Sequence, residues 1–70
     1  MSFTVMEEID LLTQNNASLR RAIERSNELA EWCARLGGTP QNQGQFVALM
    51  EYTIDLNHKR IMQIKKLMGD

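Results

Sequence analysis

The sequence predicts an all-α protein: an antiparallel two-helix hairpin that self-associates into a four-helix bundle or a larger helical oligomer. Three observations predict this. A 4-3 heptad runs without a slip from Val5 to Cys33. Gly37, Gly38 and Pro40 interrupt the chain just past its midpoint. A second helical pattern follows, and no strand-like alternation occurs. The elements are a first helix over about 5–36, a turn over 37–41 and a second helix over about 42–68, forming one domain over 1–70.

The first helix opens on Thr4-x-x-Glu7, a capping box. Glu7, Glu8 and Asp10 place negative charge in its first turns, where the helix dipole favours it. Ile9, Asn16, Ile23 and Ala30 take the a positions of the heptad. Val5, Leu12, Leu19, Ser26 and Cys33 take the d positions. β-Branched residues at a, leucine at d and one asparagine at a suit a helix that meets another helix. Thr13 to Ser18 is poor in strong helix formers, so a break with a new cap at Asn16 or Ser18 is an alternative to one continuous helix. Gly37 suits the left-handed position that ends a helix.

The second helix has two candidate starts. Thr39 at the N-cap with Pro40 at N1 is one. Asn42, with Gln45 at N3, competes, because Gly44 weakens the first turn. Lys65 and Lys66 suit the C-terminal dipole, and Gly69 ends the helix. One broad apolar face carries Phe46, Leu49, Met50, Ile54, Leu56, Ile61, Ile64, Leu67 and Met68. Asn57 lies near its middle and would pair with Asn16 or with a symmetry mate. Folding the chain about Gly38 brings Glu7, Glu8 and Asp10 near Lys65 and Lys66, Arg20 and Arg21 near Asp55, and Arg25 near Glu51.

Size explains why association is expected. With 70 residues, a single core seldom supplies more than about 3–5 kcal/mol. Cys33 is the only cysteine and His58 the only histidine, so neither an internal disulfide nor a metal site reinforces the fold. A further chain remains. Leu29, Trp32 and Leu36 form a stripe well to one side of the a/d seam and are the expected partner or oligomer interface, since tryptophan is enriched at interface hot spots. The alternative is a Trp32 partly exposed beside the turn and covered by Phe46 or by the turn itself.

Composition excludes several classes. The formal net charge is −1, which points no strong field at DNA or acidic membranes. No apolar run approaches the roughly 20 residues of a membrane span. The N-terminus lacks the pattern of a signal peptide, and one free thiol fits a reducing compartment, so a cytoplasmic location is expected. Asn16-Ala17-Ser18 matches a glycosylation sequon but lies on the seam, so it is read as chance. There is no Gly-rich phosphate loop, Cys-x-x-Cys or His-Glu-x-x-His. Cys33 reads as a small core residue, and Cys33 and His58 lie at different levels of the hairpin. Neither an enzyme nor a cofactor is expected.

One polar constellation is a candidate anion site. Arg20 and Arg21 lie at about the level of Asn57, His58, Lys59 and Arg60, and convergent arginines can clamp phosphates. A nucleotide-like ligand would fit there. A salt-bridged solvated face is the plainer reading of the same residues. RNA binding by such a hairpin is a weaker alternative, given the charge balance.

Two resemblances bear on function. The long first helix, the Gly-containing turn and Pro-x-x-x-x-Gln-Phe from Pro40 to Phe46 resemble small hairpin co-chaperones of type III secretion needles. The short first helix of the broken alternative and the Pro-containing turn, with Glu51 and Ile61 on the second helix, resemble phage-encoded helical sponges that sequester cyclic-nucleotide immune signals. The first implies a protein partner and the second a nucleotide ligand held by an oligomer. Neither carries a binding signature, so no site residue is transferred. The expectation is a small non-catalytic binding protein that oligomerises and binds or sequesters a protein partner.

Overall fold

The computed structural model describes residues 4–38 and 42–69. Two helices, α1 (Val5–Arg35) and α2 (Gln43–Leu67), pack against each other as an antiparallel hairpin, with no strand among the described residues. The molecule is a rod of 53 × 20 × 18 Å. Its radius of gyration is 16.2 Å, against about 11 Å for a compact domain of this length.

α1 starts where the capping box sets it. The Thr4 hydroxyl accepts from the Glu7 backbone N–H at 3.2 Å and donates to the Glu7 carboxylate at 3.0 Å. The helix is continuous through Thr13–Ser18. Weak local propensity there is overridden by a tertiary contact. Asn16 is buried, its Oδ1 accepts from Asn57 Nδ2 at 2.9 Å, and its own Nδ2 donates to the Ile54 carbonyl at 3.4 Å. Thr13 and Thr53 turn their hydroxyls back onto the carbonyls of Ile9 and Leu49, which keeps both compatible with helix.

α1 ends in a Schellman motif. Gly37 sits at φ +83°, the Gly38 N–H reaches the Cys33 carbonyl at 2.8 Å, and the Gly37 N–H reaches the Ala34 carbonyl at 3.1 Å. The Thr39-Pro40 start lies outside the described residues. Asn42 precedes α2, yet it differs from a capping asparagine: its φ is +62° and its side chain makes no cap hydrogen bond. α2 therefore opens on backbone geometry rather than on a side-chain cap.

The packed face of α2 is narrower than the broad face expected from sequence. Gln43, Val47, Met50, Ile54, Asn57, Ile61 and Ile64 are the buried or half-buried residues, and they follow their own 4-3 heptad. Thr53, beside this line, is also half-buried. Phe46, Leu49, Leu56, Leu67 and Met68 are exposed. A helix in a hairpin contacts its neighbour through one seam only.

The charge register also differs from expectation. The cross-helix ion pair among the described residues joins Glu8 Oε1 to Arg60 Nε at 2.9 Å, more than a turn from Lys65 and Lys66. Asp55 pairs within α2 with Lys59 at 3.0 Å. Seam packing and the Asn16–Asn57 bond set the register, because exposed ion pairs are worth only about 0–1 kcal/mol. Gln43 Nε2 donates to Asn27 Oδ1 at 2.7 Å. The last two turns of α1 thus run past the start of α2.

Candidate interaction surface

The hairpin buries little. Among the described residues, Met50 and Ile64 are the buried apolar ones, while thirteen large apolar side chains are exposed. A folded monomer of 8.1 kDa exposes about 4,500 Å² by the usual scaling. This chain exposes 5856 Å². The excess is roughly 1,400 Å², beyond the ~800 Å² per partner of a standard interface.

Leu29, Trp32 and Leu36 are 65%, 62% and 72% exposed. Trp32 is thus largely exposed in the hairpin, and the groove it lines with Arg25, Glu28 and Leu29 does not include Phe46. Leu29 and Phe46, from different helices, line one groove with Ser26, Ala30, Cys33 and Gln43. The groove exists because Ser26 and Ala30 are too small to fill the seam where α1 overruns α2. Cys33, expected to pack as a small core residue, is instead exposed, because it lies in the last turns of α1 that run past the start of α2.

These residues belong to a second seam that runs beside the first. On α1, positions 11, 15, 18, 22, 25, 29, 32 and 36 step by four and three and carry Leu11, Ala22, Leu29, Trp32 and Leu36, interrupted by Asn15, Ser18 and Arg25. On α2, positions 46, 49, 53, 56, 60, 63 and 67 do the same and carry Phe46, Leu49, Leu56 and Leu67. Both lie on the g side of their heptads. In an antiparallel pair the two g sides flank the seam together, and the Glu8–Arg60 bridge spans it there. The other flank is more polar, with Thr13, Arg20, Asn27, Glu51, His58 and Lys65. The α2 half of the apolar side was hidden in the sequence because its broad face merged two seams. The 4-3 steps through Phe46 and Leu67 were the available signal.

The candidate anion residues are spread over several surfaces. Asn57 is tied to Asn16 inside the hairpin. Arg60 is held by Glu8, whose hydrogen bond and charge raise its pKa above the ordinary value. Lys59 pairs with Asp55, and Arg21 donates to Ser18 Oγ at 3.3 Å. His58 and Lys59 line a groove along α2 with Met62, Gln63, Lys65 and Lys66. Arg21 lines a separate one on α1 with Ser18, Ala22 and Arg25, and the exposed Arg20 lines neither groove.

Among the described residues no cluster of three or more His, Cys, Asp or Glu could hold a metal, and no helix is long and apolar enough to cross a membrane. Compared with protein-family models, curated proteins and solved structures, the chain has no significant match.

Proposed function

We propose that this chain is a small, non-catalytic helical binding protein that self-associates and holds or sequesters a protein partner, in the manner of an adaptor, co-chaperone or inhibitor. The supporting observation is the apolar side of the rod, where Leu29, Trp32, Phe46 and Leu49 are all more than 60% exposed. Monomers rarely leave contiguous apolar patches larger than a few hundred Å² uncovered. Self-association covers this side until an amphipathic partner helix replaces a copy.

The ligand recognised would be a helix with apolar residues at i, i+3, i+4 and i+7, laid along the rod. A phosphate-bearing ligand is less well supported. Arg21, Asn57, Lys59 and Arg60 already have partners within the chain.

A photo-crosslinking residue in place of Trp32 tests the reading in cells. Crosslinks to one helical segment of a second protein, lost on adding Leu29→Lys, are expected. Crosslinks to the chain itself alone would remove the partner from the account.

A further inference from the structure

We infer that the g side of the hairpin is the seat of a second copy of this chain, giving a square four-helix bundle in which each helix has two seams. This rests on the self-association proposed above and specifies its face and geometry.

The first support is angular. At 100° per residue, the outer seam lies roughly 100° around each helix from the inner one. In a square bundle each helix meets its two neighbours about 90° apart, and in a three-helix bundle about 60° apart. The spacing fits the square. A lone helix in the groove between α1 and α2 would leave both outer seams uncovered.

The second support is that both helices carry the outer seam, and on the same side. Leu29 of α1 and Phe46 of α2 line one groove, and Glu8 and Arg60 bridge the two helices. Covering both outer seams at once therefore takes two helices at the hairpin's own spacing, where a single partner helix covers only part of the side. A second hairpin does so, and closed two-fold pairs are the usual form of such contacts.

The third support is area and charge. The excess exposed surface of roughly 1,400 Å² per chain falls within the range of an obligate dimer. Glu8 and Arg60 neutralise each other on this side, and Arg25 shares a groove with Glu28 beside Leu29 and Trp32, so the acids and bases of the face balance and two like faces meet without strong repulsion. The polar flank offers no comparable apolar seam.

Sedimentation equilibrium of three proteins tests the assignment. The wild type should sediment at twice the 8.1 kDa of one chain, and a larger assembly would overturn the closed pair. Leu29→Lys with Leu56→Lys, on the outer seam, should lose the assembly. Tyr52→Lys with Met62→Lys, off both seams, should keep it. Acrylamide quenching of Trp32 in the wild type needs no variant: emission should be blue-shifted and protected when assembled, and shift red with loss of protection on dilution. An assembled wild type with freely quenched Trp32, or an outer-seam variant that stays assembled, overturns the face. A wild type that is monomeric throughout overturns self-association itself.

Discussion

Removing the Asn16 amide probes what sets the register of the hairpin. In Asn16→Ala, Asn57 Nδ2 loses its acceptor, because Asn16 Oδ1 takes that bond at 2.9 Å. The Ile54 carbonyl loses a weaker contact at 3.4 Å. Orphaning a buried amide costs about 1–3 kcal/mol. Asn57 is half-buried, so water can partly replace the lost partner. The expected cost is therefore near the lower end, about 1–1.5 kcal/mol. For a domain of this size that is a fall in melting temperature of roughly 4–12 °C. Asn16→Leu with Asn57→Leu should recover most of the loss, since apolar pairs replace buried polar pairs at little cost. The double variant should also lose specificity and populate other oligomers. Thermal unfolding by circular dichroism at one fixed concentration, run as a double-mutant cycle, measures this. A coupling energy near zero between positions 16 and 57 would refute the reasoning.

Three further outcomes follow from the caps and the ion pair. Gly37→Ala should destabilise by about 1–2 kcal/mol in chemical denaturation, because the Cβ meets the left-handed backbone penalty although space is open. Gly44→Ala should stabilise by about 0.5–1 kcal/mol in the same assay, as that glycine is helical with nothing near its Cβ position. Glu8→Gln should lower the melting temperature slightly, and the difference from wild type should shrink as salt rises. The raised Arg60 pKa means the guanidinium's share of this pair is complete below its ordinary value and is lost only as pH climbs through the raised one.

Much of the fold was legible because local and tertiary signals agree. The Thr4 box and Gly37 specify the two ends of α1 and the heptad its packed face, and each appears in the structure. Asn16 facing Asn57 was one of the two pairings the sequence offered, the other being a symmetry mate, and it is the one the hairpin forms. The start of α2 was less so. Asn42 adopts a backbone that side-chain capping rules do not describe. The charge register was misread for an energetic reason: exposed acids and bases follow the packing and do not set it. The outer seam was half legible. Leu29, Trp32 and Leu36 separated from the α1 heptad, whereas Phe46, Leu49, Leu56 and Leu67 merged with the packed face of α2. Only knowing which α2 residues touch α1 divides that face in two.

The most direct test of the account is the mass of the unmodified chain in solution across the micromolar range. Sedimentation equilibrium should return a concentration-dependent assembly built from 8.1 kDa chains. A stably folded 8.1 kDa monomer at every concentration, with Trp32 and Phe46 still open to solvent, would contradict it.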